Sequence, residues 1–582
     1  MNIYDTNESV ELYDNRGIEM ARKCIRRAKR ECALRYLILL LLFALGMVDK
    51  ILFPQIEIKL SSYILLYVIC MFSMMGFRIF HNGIVAKRMK DFTLQEKHDY
   101  NLVIYRENHN KKFFLKSITL LTMAKQDILM EKPLAAKQAL SQIAVESLGK
   151  NVLKTIATGD MFITRRIAKD GYEGFEEVRD CIMEHDVKFS NLEMTFHDQE
   201  GYPAAESGGT WAMMEPGALD DIQRFGFNLY NTANNHSGDY GQEGVMATIR
   251  HLNERDMVFS GTGKNLGDAS KACYLETRKG RVALISVSST FSAASRAGGQ
   301  SHQMIGRPGL NPLRSSTRYH VDPAHYEMAQ ELVKVTKVNA EMEFEIRNGY
   351  FNPLEPGVLP FGNAGMFILD EKNWIESIPN QEDMKRITDE IAEARKQADV
   401  VFVSFHGHET DGEDTTVPAM FLETFARRCV DAGADVIIGH GPHELRGIEI
   451  YKGKPIFYSL GNFLFETETV DLQPYDAYLN KKLPLDTKVG AYMDDRSKMG
   501  TVGYGVLPEI WFSVMAAWDM EDGKTTEIRL YPISLGMERV RSQKGVPVMT
   551  GDEKVLEYLA ELSAPYGTAM EIRDGVGYIR LK

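Results

Sequence analysis

The chain carries no surplus of positive charge. Its 68 Lys and Arg are outnumbered by 80 Asp and Glu, a formal net charge of −12 at pH 7. That balance argues against nucleic acid as a partner, which needs a basic face. Cysteine is scarce too, with six in 582 residues. The one close pair, Cys24 and Cys32, lies in a basic segment without metal-ligand spacing. No disulfide framework is readable, which favours a reducing location. No small-residue cleavage site follows the first apolar run, so a cleaved signal peptide is not expected. What is present is an ordinary globular balance, 44% hydrophobic and 25% charged. The length suits about two to four domains.

The N-terminus differs from the rest. Arg22, Lys23, Arg26, Arg27, Lys29, Arg30 and Arg35 precede the apolar run Tyr36–Val48. Asp49 and Lys50 interrupt it, and Ile51–Phe53 continues it. A second run, Leu60–Phe77, carries no charge and is long enough to cross a bilayer at about 1.5 Å per residue. Residues 1–92 therefore read as a basic N-terminus and a two-helix transmembrane hairpin. Two buried helices of a soluble domain are the alternative. Arg78, Lys87, Arg88 and Lys90 follow the second run, while Lys50 and Lys59 between the runs are balanced by Asp49 and Glu57. The positive-inside rule then gives a two-pass protein of the cell membrane with a cytoplasmic main domain. The short first run is the weak point; were it not to span, the domain would face outward.

Residues 93–151 read as a helical connector. Phe114, Ile118 and Leu121 recur at helical spacing, and Pro133 starts a second segment. From Val152 the texture becomes short apolar strands, such as Val282–Ser286, Val400–Phe405 and Val436–Ile438. Helical patterns lie between them, as in Glu243–Asn253 and Gln381–Gln397. That alternation predicts an α/β domain over 152–467. Residues 468–582 read as a C-terminal α/β extension, with Tyr475–Met499 polar and loop-like.

Ligand-type residues stand directly after the apolar strands. Asp160 follows Thr155–Gly159, and Asn191 and Glu193 follow the run around Val187–Phe189. Asn234, Asn235 and His236 follow Phe227–Thr232, His406 and His408 follow Val400–Phe405, and His440 and His443 follow Val436–Gly439. In open α/β sheets, ligands bind beyond the carboxyl ends of strands. Five strand ends delivering carboxylate, amide and imidazole suit Zn, Mn or Fe better than Mg alone. A lone Asp there is usually a turn or cap and a lone His usually structural, but five in order form a constellation. His185, His251 and His325 read as surface or core residues.

The motifs TGDMF (Thr158–Phe162), SNLEMTF (Ser190–Phe196), ANNHSGDYG (Ala233–Gly241), GRPGLNP (Gly306–Pro312), FHGHE (Phe405–Glu409) and GHGPHELRGIEIYKGKPIFYSLGNF (Gly439–Phe463) resemble the CapA-type poly-γ-glutamate capsule biosynthesis family. That family is similar to calcineurin-like metallophosphoesterases and 5'-nucleotidases. The resemblance covers about Val152–Phe465. It implies a four-layer α/β/β/α domain holding one or two divalent metal ions. Asp160, Glu193 in the bridging role, Asn235, His406, His408, His440 and His443 would be ligands. His236 would be the general acid, with Asp239 orienting it or capping the next helix. Asn191 and Asn234 would sit at the substrate. Arg307 and Arg446 would fork onto an anionic substrate or form surface ion pairs, and Asn462 would touch substrate or shape a turn. Two departures stand out: Phe162 occupies the place of a second first-motif ligand, and the bridging Asp position reads Asn191–Leu192–Glu193. The implied partners are the lipid bilayer, an anionic polymer or phosphorylated substrate, and other capsule-synthesis proteins. A hydrolase cleaving phosphoester or amide bonds and a non-catalytic scaffold with a degenerate site both fit.

Overall fold

The computed structural model describes residues 152–471, 473–521 and 523–581. The membrane hairpin and the connector expected from the sequence lie outside the described residues. Among those described, no helix is long and apolar enough to cross a membrane.

Strands built from continuous apolar runs belong to sheets covered on both faces. Val400–His406 is buried at every position. Val400 and Phe402 join one core, whereas Val401, Val403 and Phe405 join another. Alternation of period two thus sends even-numbered side chains to one layer and odd-numbered ones to the opposite layer. A six-stranded sheet has the order Leu445–Tyr451, Lys454–Leu460, Val436–His440, Val400–His406, Gly280–Ser288, Cys273–Thr277. A ten-stranded sheet runs Glu571–Arg573, Val576–Arg580, Lys524–Ser534, Phe512–Glu521, Val152–Phe162, Val187–Leu192, Leu229–Asn231, Phe259–Ser260, with Asn462–Phe465 and Val548–Met549 off that path.

Three cores hold these sheets in four layers. Helices Phe175–Met183 and Ala218–Gln223 pack Phe175, Val178, Ile182, Leu219 and Ile222 on the outer face of the larger sheet. Between the sheets, Ala157, Phe189 and Leu229 meet Leu284, Phe402, Ile438 and Phe457. Helices Gln381–Ala394 and Met420–Ala432 cover the smaller sheet. The layer order is α/β/β/α. Helix Gln381–Ala394 starts where the Asn380 side chain accepts from the Glu382 and Asp383 amides. Its Met384, Ile387, Ile391 and Ala394 recur along the buried face.

Three segments depart from the sequence reading. Phe512–Glu521 pairs antiparallel with Val152–Phe162, from Glu521 opposite Val152 to Ala516 opposite Ala157. The boundary drawn at 467 therefore falls inside one sheet. The stretch read as a loop, Tyr475–Met499, contains helices Tyr475–Lys481 and Val489–Ser497. They end on Lys482 and Lys498 in the left-handed conformation, so the glycine that signals a helix stop is missing from the sequence. Their Tyr478, Tyr492 and Met493 reach the core. Residues 315–379 form a four-stranded sheet, in the order Val358–Pro360, Met366–Leu369, Ser315–Val321, Trp374–Pro379, accompanied by helices Pro323–Thr336 and Ala340–Arg347. The chain passes from the smaller to the larger sheet at Gly461, between Leu460 and Asn462.

Candidate metal centre

Strand register assembles the site. His406 pairs with His440 in the smaller sheet. Asp160 pairs with Asn191, and Asn191 with Asn231, in the larger one. His406 and His440 continue the even-numbered positions that face the other sheet. Asp160 reaches the same space through a bulge: Ala157 stands opposite Phe189 and Asp160 opposite Asn191, so one strand carries an extra residue. That residue turns Asp160 to the face Ala157 occupies. At Gly159 the crossing chain comes so close that a Cβ would stand 1.8 Å from the Gly461 carbonyl oxygen. The Asp160 amide donates to that carbonyl at 3.0 Å.

The side chains converge tightly. Asp160 Oδ1 lies 3.5 Å from His440 Nδ1 and 3.7 Å from His406 Nδ1. Asp160 Oδ2 lies 3.6 Å from His443 Nδ1. Glu193 Oε1 is 3.7 Å from His406 Nε2 and 3.6 Å from His443 Nε2. The two Nδ1 atoms of His406 and His440 stand 3.0 Å apart, and the Nε2 atoms of His406 and His408 stand 3.1 Å apart. Asp160, Glu193, His406 and His440 are fully buried.

Burial pushes His406 well below its usual range, with the surrounding histidines adding to the shift. It takes His408 down to about 3, with His443 adding, and His440 to about 4. These rings are neutral near pH 7, so their contacts with the carboxylates are not ion pairs. Neutral imidazole is the metal-binding form. Burial would raise Asp160, but His443, His440 and the Asn191 amide outweigh it and hold the carboxyl low. Glu193 is driven well above the carboxylate range by burial and by the charges of Asp160 and Asp239.

A divalent ion fits this donor set. Both carboxyl oxygens of Glu193 and Oδ1 of Asn235 are buried without a hydrogen-bond partner, which a native site seldom tolerates. Ligand atoms around a tetrahedral ion at about 2.0–2.1 Å stand roughly 3.3 Å apart. Three groups share that space: Asp160 with His406 and His440, Glu193 with His406 and His408, and Asp160 with Glu193 and His443, their ligand atoms lying within 4.8 Å of one another.

His236 and Asp239 form a pair at the edge of the cluster, Nδ1 to Oδ2 at 2.7 Å. Asp239 also accepts from the Gly208 and Ala212 amides, 2.8 Å each. Asn235 donates to the Gly208 carbonyl at 2.8 Å. Phe162 packs edge-on against His236 with centroids 5.3 Å apart, an apolar wall in place of a ligand.

The five residues expected at the substrate all make contacts within the protein. Asn191 donates to Asp160 Oδ1 at 2.6 Å and accepts from Asn231 at 2.5 Å and Asn234 at 3.3 Å, so it fixes the Asp160 carboxylate. Asn234 also donates to the Leu192 carbonyl at 2.7 Å. Asn462 bonds His443 Nδ1 at 2.9 Å and donates to the His443 and Ile510 carbonyls, holding a ring whose backbone is left-handed at φ 64°. Arg446 is fully buried and donates to the carbonyls of Thr415, Gly407 and His408, pinning the loop that carries His408. Burial lowers its guanidinium to about 10, still a cation near pH 7. Arg307 is exposed and donates to the Arg296 carbonyl at 3.0 Å.

Sequence reasoning missed Asn231 and Ser404, and read Gly441 only as shaping the turn that presents His440 and His443. The Ser404 hydroxyl bonds His440 Nε2 at 2.7 Å, leaving Nδ1 for the cluster. The Gly441 amide, at φ 125°, donates to Asp160 Oδ2 at 3.0 Å. Ser404 had a signal, as a polar residue within the apolar run Val400–Phe405, and Asn231 ends the short strand Leu229–Asn231.

Fold and site together define a two-sheet α/β/β/α protein with a buried carboxylate–histidine cluster at its strand ends. The chain belongs to the bacterial capsule synthesis protein PGA_cap family, whose model matches residues 154–467. An uncharacterised protein of Sinorhizobium fredii is 35% identical over 445 residues, covering 73% of this chain and 92% of its own. The PGA biosynthesis protein CapA of Bacillus subtilis is 26% identical over 401 residues, covering 66% of this chain and 84% of its own. The capsule biosynthesis protein CapA of Bacillus anthracis is 26% identical over 295 residues, covering 50% of this chain and 53% of its own. A crystal structure described as that of a putative 5'-nucleotidase from Staphylococcus aureus aligns at 12% identity and a TM-score of 0.28, over 71% of this chain and 58% of that one.

Proposed function

We propose that the strand-end cluster holds one or two divalent metal ions, Mn, Zn or Fe, and that the protein is a metal-dependent hydrolase acting in the synthesis, export or trimming of an anionic envelope polymer such as poly-γ-glutamate. The bond cleaved is a phosphoester or an amide. The observation that carries this reading is Glu193, whose two carboxyl oxygens are buried and unpartnered against His406 and His443. A divalent ion bound there supplies Lewis-acid stabilisation of the negative charge that develops on the substrate. Asp160, Glu193, His406, His408, His440, His443 and Asn235 would hold it. His236, oriented by Asp239 through Nδ1, would deliver a proton from Nε2 to the leaving group. Asn191, Ser404 and Asn462 keep the ligands in place before metal arrives, as partners of metal ligands commonly do.

A non-catalytic scaffold is the second reading, favoured by Phe162 in the place of a ligand. Metal analysis of purified protein loaded with Mn²⁺ or Zn²⁺, with turnover assayed on p-nitrophenyl phosphate and a γ-glutamyl oligomer, separates them. Bound metal with turnover supports the hydrolase. Bound metal without turnover on a range of phosphoesters and amides gives the scaffold, and the absence of bound metal contradicts both.

The membrane hairpin with a cytoplasmic domain is proposed as well, supported by the basic residues outside both apolar runs. Protease treatment of intact spheroplasts tests it: a protected domain supports the hairpin, and rapid digestion returns the domain to the outside.

A further inference from the structure

A pocket of about 200 Å³ lies beside the cluster. Thr467, Glu468, Met493, Arg496, Ser497 and Tyr504 line it. Tyr504 links it to the metal centre: its ring centroid stands 5.7 Å from that of His443 and 5.2 Å from that of Phe465. The lining helix Val489–Ser497 and the turn Gly503–Val506 lie beyond the residues matched by the family model, so this wall lies outside the part of the chain that defines the family.

Arg496 sets the pocket's chemistry. Its Nη1 is buried with no hydrogen-bond partner among the described residues. The carboxylate lining the pocket, Glu468, is committed elsewhere, to Lys544 at 3.0 Å and Arg541 at 3.8 Å. A buried, unpaired N–H on a charged group is costlier than a neutral one, and each such group in a folded protein calls for an explanation. An oxyanion satisfies it, because guanidinium donors match carboxylate and phosphate oxygens. The volume admits one such group with part of a backbone, below the about 300 Å³ at which whole-ligand pockets begin.

We propose that Arg496, with Tyr504 beside it, forms a subsite for an oxyanion of the substrate, a carboxylate or a phosphate one step from the bond held at the cluster. The inference rests on the hydrolytic reading of that cluster. On a γ-glutamyl polymer the pocket takes the free α-carboxylate next to the bond attacked, and so sets the register of cleavage. On a phosphorylated substrate it takes a second phosphate.

The full chain loaded with Mn²⁺ is titrated calorimetrically with two probes, a γ-glutamyl hexamer and inorganic phosphate. Arg496→Gln should weaken the probe that binds by about ten-fold or more, the effect of losing a charge-assisted hydrogen bond. Its metal content and thermal midpoint should match the wild type, and Arg496→Lys should restore part of the affinity. Loss confined to the hexamer assigns a carboxylate, and loss confined to phosphate assigns a phosphate. Unchanged affinity in Arg496→Gln for every probe that the wild type binds overturns the subsite, as does binding of neither probe to metal-loaded wild type. A wild type that retains no metal defeats the hydrolytic reading instead, and the metal measurement keeps the two failures apart.

Discussion

Two regions of this molecule break the usual rule of burial in opposite directions. At the strand ends Asp160, Glu193, His406 and His440 are fully buried, although such groups are costly to take from water. In the 315–379 excursion, large apolar groups stay outside: Tyr350 is 75% exposed and Phe351 56%. The first region withdraws carboxylates and imidazoles from solvent and leaves both Glu193 oxygens without a hydrogen-bond partner. The second leaves apolar groups in water, where singly exposed ones are ordinary. A polar group buried against its type is therefore the stronger mark of function.

Replacing residues in the two regions should have effects of different kind and size. Asp160→Ala has the largest expected effect: metal affinity falls about 100-fold or more and hydrolysis goes with it, since even partners of metal ligands are worth about 10–100-fold. His236→Ala should keep the metal and lower turnover by about 10²–10⁴. Parallel metal analysis and kinetics check both, and equal metal loss in the two variants would erase the division between ligand and acid.

Arg446→Met comes next. It strands three carbonyls that the guanidinium now satisfies, at a cost of about 1–3 kcal/mol. A lower thermal midpoint with an unchanged KM is expected. A raised KM at an unchanged midpoint would return Arg446 to the substrate.

Acid should separate the regions as well. His406, His408 and His440 titrate lower folded than unfolded. Metal-free protein therefore has their full contribution above about pH 6.5 and loses it as pH falls toward about 3–4. Glu193, raised by burial, acts in the opposite sense: its contribution is greatest at or below about pH 4.5 and is lost as pH rises above that value. The thermal midpoint of metal-free protein should accordingly fall on acidification below pH 6.5, and His408→Asn should flatten that slope. Phe351→Ser in the excursion has the smallest expected effect, within about 0.5 kcal/mol in a denaturant titration; a larger loss would show that the exposed face is covered.

Much of the site was legible because apolar strands and their terminal polar residues are local signals. His406 and His440 each follow a run of Val, Ile or Phe, and Asp160 follows the strand residues Thr155–Gly159. What stayed hidden depends on register between strands distant in sequence. Nothing local tells that a bulge turns Asp160 inward, or that Asn191 bonds Asp160 instead of substrate. Arg446 resembled a substrate fork because its three carbonyl partners lie 31 to 39 residues earlier in the chain. Helices Tyr475–Lys481 and Val489–Ser497 escaped because their stops are lysines, and the excursion because Ser315–Val321 is polar and half-exposed and the apolar run Met366–Leu369 is only 4 residues long.

Anomalous X-ray scattering from crystals of the full chain grown with Mn²⁺ tests the central claim most directly. The account predicts a peak between the two sheets, within about 2.0–2.5 Å of Asp160 and of at least two of Glu193, His406, His440 and His443. A peak held by other residues, or no peak with the cluster packed as described, would contradict it.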